Sequence, residues 1–275
     1  MTPLEVGTTS WSLQIDEFEQ MLETVEEDLD LHVIHLGAIA DISLTEEVRE
    51  EWQDALDKRK LEVSATAVGF AGEDYSTLQT IEATGGFVNP EQFEPRFRHL
   101  CDMAELTRTL GVGILTTHIG FVPGDAQDSC RAHMVESVRK VADALADRGI
   151  VLGMETGQES PDLLLAFIDQ VDRENVKVNF DPANMILYGS SDPIEALDKL
   201  QDHIVHVHVK DATPAIRSGA WGSDVPLGEG EVGIDRYLRK LKEIEYRGPL
   251  IIEREGGDNR IEDIRRAVEL LEELV

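Results

Sequence analysis

The chain has few cysteines, few aromatic residues and no long apolar run. Its two cysteines, Cys101 and Cys130, lie far apart with no CxxC spacing, so the sequence predicts neither a zinc knuckle nor a disulfide framework. No stretch approaches the roughly 20 apolar residues of a membrane span. The first residues, MTPLEVGTTSW, lack the basic-then-apolar order of a signal peptide. We therefore expect a cytoplasmic protein with no membrane partner.

Positive charge is also scarce. The 275 residues include 55 Asp plus Glu but only 25 Lys plus Arg, which gives a net charge of -30. Such an acidic protein repels phosphate backbones. We therefore expect no nucleic-acid partner and turn to small molecules as ligands.

What the chain does have is a rhythm of eight short β-rich runs separated by amphipathic segments. Each run is bounded by Gly, Pro, Asp or Asn, as strands usually are. Eight strand-then-helix units in this length predict a single (β/α)8 TIM barrel over residues 1–275. A doubly wound open sheet is the competing arrangement, but GTTSWS after the first strand is not its Gly-rich phosphate turn. The predicted strands are 4–11, 31–38, 61–70, 111–120, 149–157, 176–184, 203–212 and 248–256.

One long connection, residues 71–92, is predicted to be a loop between the third strand and the third helix. It lies on the C-terminal side of the barrel, where such folds keep their active sites. Loops of this length are typically lids or binding loops. Phe70 and Phe87 flank or occupy it, and with Trp11 they are interpreted either as an apolar wall against a sugar or as core packing.

Acids and histidines recur where five consecutive predicted strands end. Any one of them could simply cap the next helix, and Asp181 before Pro182 suits that interpretation well. Together they point to a shared axis, because closure of a barrel directs inward residues of all strands to one place. The residues are His118, Glu155, Asp181, His206 with His208, and Glu253.

Three of these carboxylates cannot share one place without compensation. Like charges at close range repel by several kcal/mol unless protons or a cation neutralise them. Glu155, Asp181 and Glu253 with the His208 imidazole suit one divalent metal ion. The oxygen-rich set favours Mn²⁺ or Mg²⁺, with Co²⁺ or Zn²⁺ as alternatives.

With these residues in this order, the sequence resembles the xylose-isomerase-like TIM barrel superfamily. That superfamily includes sugar isomerases and epimerases and the AP endonuclease family 2. The resemblance covers essentially the whole chain, through GMETG, NFDPANM, HVHVKD, PLGEGEVGID and IIEREGG in the expected order. It implies that Glu155, Asp181, His208 and Glu253 hold the metal of a ketose 3-epimerase-like site. It also implies that Glu155 and Glu253 are the catalytic acid and base.

The chain departs from relatives of this kind at two positions. Asn184 stands where the ketose 3-epimerases typically carry a substrate-binding histidine, and where endonuclease IV relatives place a ligand of an additional metal. The loop after the seventh strand also lacks the Asp-x-His of those endonucleases, which argues against cleavage of abasic sites. Arg217 is only a loose match to the family's arginine after the seventh strand, and His118 matches a ligand that would allow a second metal.

The two histidines of HVHVKD are predicted to lie at different depths in the barrel. His206 and His208 share a strand face by period two; His208 lies nearer the C-terminal end, and His206 is interpreted as a neutral structural histidine one layer deeper. Lys210, higher still, is expected to reach a substrate oxygen or to neutralise the acids. The candidate substrate-binding residues are His118, Asn184, Lys210, Arg217 and Trp11.

We therefore hypothesise a metal-dependent sugar isomerase or epimerase that abstracts a proton next to a carbonyl, through an enediolate, on a ketose or keto-sugar. If a β-hydroxyl or glycosidic oxygen leaves instead, the same site is a dehydratase or lyase for a keto-inositol or 3-keto-glycoside. The alternative from a different class is a non-catalytic barrel that binds a carbohydrate or a partner. The sequence leaves the exact substrate and the oligomeric state open, a homo-oligomer included.

Overall fold

Eight parallel strands close into a barrel in the computed structural model, which describes residues 4–38, 43–217 and 219–274. Each strand hydrogen-bonds to its two neighbours, and the first pairs with both the second and the last. The predicted TIM barrel is therefore confirmed. The barrel strands are β1 (Val6–Thr9), β2 (Val33–Ala38), β3 (Glu62–Val68), β4 (Ile114–Thr117), β5 (Val151–Glu155), β6 (Val176–Phe180), β7 (Ile204–Val209) and β10 (Leu250–Ile252).

Helices cover the outside of the barrel because parallel strands need crossover connections that bury their outer faces. Many begin at side-chain caps that are legible in the sequence; Ser160 accepts a hydrogen bond from the Leu163 backbone N–H, for example. The helices are α1 (Phe18–Glu23), α2 (Glu46–Arg59), α3 (Leu78–Thr84), α4 (Pro90–Thr109), α5 (Ser129–Ala146), α6 (Pro161–Val171), α7 (Pro182–Tyr188), α8 (Pro193–Leu200), α9 (Ile234–Glu243) and α10 (Arg260–Leu274).

The connection 71–92 is not the continuous loop that the sequence predicted. It contains α3, which begins at a capping box in which Thr77 and Thr80 satisfy each other's backbone N–H groups. Phe87 is fully buried and packs against Phe70 and Phe93 at ring-centroid distances of 5.4 and 5.6 Å. Of the two interpretations of Phe70 and Phe87, core packing is therefore the correct one.

Two short strands, β8 (Asp211–Thr213) and β9 (Ser223–Val225), form an antiparallel pair above the barrel after β7. Asp211 anchors the following loop, since its carboxylate accepts hydrogen bonds from the backbone N–H groups of Gly228, Gly230 and Val232. No helix in the described ranges is long and apolar enough to cross a membrane.

Candidate metal centre and active site

The four predicted metal ligands face one another at the C-terminal end of the barrel. Glu155 is the last residue of β5, and His208 is the last but one of β7. Asp181 and Glu253 directly follow β6 and β10. One ligand atom from each lies within 4.8 Å of those from the other three. The barrel therefore brings together the residues that the sequence predicted to converge.

Asp181 has two tasks, one for each carboxylate oxygen. Its Oδ1 accepts hydrogen bonds from the backbone N–H groups of Ala183 and Asn184 at 2.8 and 3.1 Å, and so caps the start of α7. Its Oδ2 faces His208 Nδ1 at 3.6 Å. The capping interpretation and the ligand interpretation are thus compatible, because the cap holds the carboxylate in a fixed orientation.

Lys210 is the counter-charge of this acidic cluster. It is 2% exposed, and its Nζ donates to Glu253 Oε2 at 2.8 Å and to Glu255 Oε2 at 2.6 Å, with Asp181 Oδ2 at 3.6 Å. Glu255 is itself half-exposed. With His208 neutral, as a metal ligand must be, the buried groups Glu155, Asp181 and Glu253 against Lys210 leave two negative charges, which one divalent cation would balance.

Two buried atoms that face the cluster make no hydrogen bond of good geometry: His208 Nδ1 and Asp181 Oδ2. Buried polar atoms are rarely left in this state without a partner such as a water or an ion. Burial lowers the pKa of His208, but the charges of Glu253 and Glu155 outweigh burial and raise it well above the usual value. Burial also raises the pKa of Asp181, to about 6. The donor set and its unpartnered atoms fit a divalent cation with oxygen and imidazole ligands.

Three further predicted residues contact the catalytic glutamate candidates directly. Trp11 donates its indole N–H to Glu253 Oε1 at 2.6 Å, and Asn184 donates its amide N–H to Glu155 Oε1 at 3.0 Å. His118 Nε2 lies 3.4 Å from the same Glu155 oxygen. Burial lowers the pKa of His118, but the negative charge of Glu155 outweighs it and raises the pKa to about 9. Each glutamate is therefore held by a donor from another part of the barrel mouth.

Arg217 is the one candidate that the fold does not bring to the site. Its side chain is exposed on the loop between β8 and β9, and it does not line the cavity above the four ligands. Arg217 matched the family's arginine only loosely in sequence, and its spacing from the seventh strand did not predict that it would point into the barrel.

Beneath the ligands, the barrel interior holds a layer of histidines. His206 is buried, with Nδ1 2.9 Å from Asn179 Oδ1 and Nε2 3.0 Å from Ser64 Oγ. Burial lowers its pKa well below the usual value, so it is neutral, as the sequence interpretation expected. His35, which sequence reasoning missed, contacts His208 itself, with its Nδ1 3.1 Å from His208 Nε2. A histidine inside the apolar strand LHVIHLGA was its only sequence signal.

Glu159 lies next to the start of α6 in the sequence, where an acid commonly belongs to the first turn of a helix. In the structure it precedes the Ser160 cap and is 4% exposed, and its Oε1 accepts hydrogen bonds from Val122 N–H at 3.1 Å and Gln158 Nε2 at 2.6 Å. Burial raises its pKa to about 7. This acid therefore joins the connection after β4 to the one after β5, while its burial favours the protonated form.

Glu159→Gln is expected to stabilise the protein at neutral pH and not in acid. A folded-state pKa above the unfolded value of about 4.5 means that stability is full below the unfolded pKa and is lost as pH rises towards 7. At about 1.4 kcal/mol per pKa unit, the variant should gain about 3 kcal/mol over wild type between pH 4.5 and 7.5. Urea unfolding of both proteins across that range measures it. Glu269→Gln, at an exposed glutamate, is the control, and an equal gain there would contradict the assignment.

A cavity of about 1120 Å³ opens above the four ligands. Its floor includes Glu155, Glu253, His118 and Asn184, and Trp11 stands at one side. Substrate-sized space therefore lies directly over the convergent carboxylates, as it should in a barrel enzyme.

Comparison with known proteins identifies the family. The family model described as xylose isomerase-like TIM barrel matches residues 22–274. The chain belongs to the xylose isomerase-like TIM barrel family. The solved structure of a xylose isomerase domain protein from Planctomyces limnophilus is 34% identical, with a TM-score of 0.88 and coverage of 100% of this chain and 98% of that chain.

Within this family, curated relatives of the chain include sugar epimerases and an inosose dehydratase. L-ribulose 3-epimerase of Methylomonas sp. is 28% identical over 152 residues, which are 51% of this chain and 48% of that protein. The match thus spans about half of that relative. A family structure from Mycobacterium smegmatis, solved in complex with magnesium, shares the fold at 20% identity and a TM-score of 0.72, over 99% of this chain and 96% of that one.

Proposed function

We propose that this protein is a divalent-metal-dependent sugar epimerase or isomerase that moves a proton at the carbon next to a carbonyl group. The observation that carries the proposal is the pair Glu155 and Glu253, which meet from separate strands at one point together with Asp181 and His208. These four residues would hold the metal. When bound, the divalent cation supplies positive charge for the oxygen on which negative charge develops.

The two glutamates are suited to give and take the proton. Burial raises the pKa of Glu155, but the charges of His118 and His208 outweigh burial and lower it. Burial likewise raises the pKa of Glu253, but Lys210 and His208 hold it well below the usual value. Both are therefore carboxylates at neutral pH. One abstracts the proton, and its counterpart, once it has taken up a proton from solvent, returns that proton to the other face of the carbon.

The same site would serve a dehydratase or lyase if the bound sugar carried a leaving group on the adjacent carbon. Proton abstraction by a glutamate is common to both outcomes. They differ in whether the carbon is reprotonated or the neighbouring C–O bond breaks. The presence of both epimerases and a dehydratase among the relatives keeps this as the second candidate.

Isotope exchange in D₂O tests the proposal and separates the two candidates. The protein is incubated with Mn²⁺ and a panel of ketoses, keto-inositols and keto-glycosides, and the products are followed by ¹H NMR. An epimerase gives deuterium at the carbon next to the carbonyl in recovered and epimeric sugar, whereas a lyase gives an unsaturated product. A protein that exchanges no proton in any of these sugars, with or without Mn²⁺, Mg²⁺, Co²⁺ or Zn²⁺, is not an enzyme of this kind.

A further inference from the structure

We propose that the substrate is an uncharged keto sugar that carries an apolar ring, such as an aryl glycoside, and not a sugar phosphate. This inference rests on the proposed function, because it assumes that the carbonyl end of the sugar lies over Glu155 and Glu253. It goes further by assigning the rest of the cavity to a second part of the substrate.

The first observation is the charge of the side chains that line the cavity. None of the described residues that line it is Lys or Arg. The positions outside the described ranges add neither type to the sequence. The cations at or next to the cavity are already paired: His118 with Glu155, Lys210 with Glu253 and Glu255, and Arg254 with Asp224 and Asp263. The lining includes six carboxylates: Asp16, Glu73, Glu155, Asp224, Glu253 and Glu255.

A phosphate ester would therefore enter a space in which carboxylates outnumber cations and the one cationic lining side chain, His118, is already paired with Glu155. A dianion placed among carboxylates in a partly desolvated cavity is repelled more strongly than in water. Sites that bind phosphate instead offer Arg, Lys or clustered backbone N–H donors. The cavity consequently selects against phosphorylated sugars.

The second observation is that one wall of the cavity is apolar and aromatic. On one side, Phe18 and Met21 of α1 and Trp52 of α2 line the same cavity as the catalytic floor. The rings of Phe18 and Trp52 stack at 4.2 Å with an interplanar angle of 5°. These side chains come from the outer helices and not from strand ends. The cavity thus extends beyond the barrel mouth to the half-buried ring of Phe18, which the buried Trp52 and Met21 support and which suits a flat apolar ring.

The size of the cavity agrees with a two-part ligand. At about 1120 Å³ it is slightly larger than the roughly 300–1,000 Å³ of pockets for drug-sized ligands. A free pentose or hexose on the floor would leave the half-buried ring of Phe18 uncovered. A glycoside would cover the floor with its sugar and Phe18 with its aglycone.

Three sugars with the same ring and the same carbonyl position test the inference: methyl 3-keto-β-D-glucoside, phenyl 3-keto-β-D-glucoside and 3-keto-D-glucose 6-phosphate. Deuterium exchange in D₂O by the Mn²⁺-loaded protein is measured for each. We expect kcat/KM for the phenyl glycoside to exceed that for the methyl glycoside at least about tenfold. The phosphate should exchange at least about tenfold more slowly than the methyl glycoside.

Phe18→Ala should remove the advantage of the phenyl glycoside over the methyl glycoside. Phe97→Ala, at an aromatic residue outside the cavity lining, is the matched control. Should Phe18→Ala fail to fold, the wild-type series still decides. A phenyl glycoside no faster than the methyl one, or a phosphate equally fast, overturns the inference. D-fructose and L-ribulose are run beside them: exchange in these ketoses alone would defeat the glycoside inference only, and no exchange in any sugar would defeat the proposed function.

A second inference rests on a different observation, the contact between His35 and His208. The structure assigns His35 as a positioning residue that fixes the His208 ring with a bare Nδ1 towards the metal centre. A chain of hydrogen bonds that begins at the Thr66 backbone carbonyl determines which ring nitrogens carry a proton. Thr116 Oγ1 donates to Thr66 O at 3.2 Å, so it accepts from His35 Nε2–H at 3.0 Å.

His35 Nδ1 is then without a proton and accepts from His208 Nε2–H at 3.1 Å. In this order the Asn179 amide N–H, 3.3 Å from the same His208 nitrogen, donates to Glu155 Oε2 at 3.5 Å instead. His208 Nδ1, the atom that faces Glu155, Asp181 and Glu253, keeps its lone pair for a cation. Partners of this kind orient a ligating imidazole, and their loss typically weakens metal binding by 10- to 100-fold. His35 is fully buried, which keeps water from replacing it.

His35→Leu should weaken Mn²⁺ binding by about 10- to 100-fold in calorimetry. His35→Asn should bind close to wild type, because an amide oxygen can accept from His208 Nε2–H. ¹⁵N NMR of the wild type with Mg²⁺ should find the proton of His208 on Nε2. Equal binding by the Leu variant, equal loss in the Asn variant, or a proton on His208 Nδ1 would each overturn the assignment. The NMR measurement also decides if the Leu variant does not fold.

Discussion

Glu253→Gln is expected to abolish stoichiometric Mn²⁺ binding and to cancel the stabilisation that Mn²⁺ gives the wild type. The substitution keeps the shape of the side chain and its ability to accept from Trp11 Nε1–H. It removes one of three buried carboxylates, so that Glu155 and Asp181 stand against Lys210 with only one negative charge in excess. The loss in affinity should exceed the 10- to 100-fold that is typical for residues one layer removed from a metal.

Thermal unfolding and calorimetry measure this effect. At about a hundred times its Kd, a ligand stabilises the folded state by about 2.7 kcal/mol, so Mn²⁺ should raise the Tm of the wild type by several degrees. The Tm of Glu253→Gln should not move. Glu229→Gln, at an exposed glutamate of the loop before α9, is the matched control and should respond like the wild type. A Glu253→Gln variant that binds one Mn²⁺ as tightly as wild type would place the metal elsewhere.

Glu155→Gln is expected to slow proton exchange at the carbon next to the carbonyl by about 10²- to 10⁴-fold, the range of a general acid or base. The amide cannot accept the proton, although it can still contact Asn184 and His118. The rate is measured by deuterium incorporation at saturating Mn²⁺, so that weaker metal binding does not limit it. Glu159→Gln, a buried glutamate outside the four ligands, should keep exchange within a few-fold of wild type. A Glu155→Gln variant that exchanges at the wild-type rate would assign the proton to another group.

Some features of the site are set by residues close together in the sequence, and others by contacts between residues far apart in it. The strand-end positions of Glu155, Asp181 and Glu253 are local, because alternation and helix caps place them without knowledge of the rest of the chain. The depth of His206 relative to His208 is local as well, since period two fixes it. These features were accordingly predictable from the sequence.

Features that depend on contacts across the barrel were not predictable. His35 meets His208 from a strand at another position around the barrel, and no spacing in either strand encodes that pair. Glu159 is an ordinary glutamate beside a helix cap until the connection after β4 buries it through Val122 N–H. The helix inside residues 71–92 was missed because its Thr77 and Thr80 cap follows a run of polar residues that resembles a loop.

The sequence by itself determined the barrel, its eight-fold alternation and the acids that converge on one point, because secondary structure and closure follow from periodicity and chain length. Only the tertiary structure decided the contact of His35 with the His208 imidazole, the pairing of Lys210 with two glutamates, the exclusion of Arg217 from the site and the acidic cavity with its aromatic wall. These depend on burial and on distances between residues remote in sequence. Electrostatic and hydrogen-bond energies follow those distances, which a linear pattern does not contain.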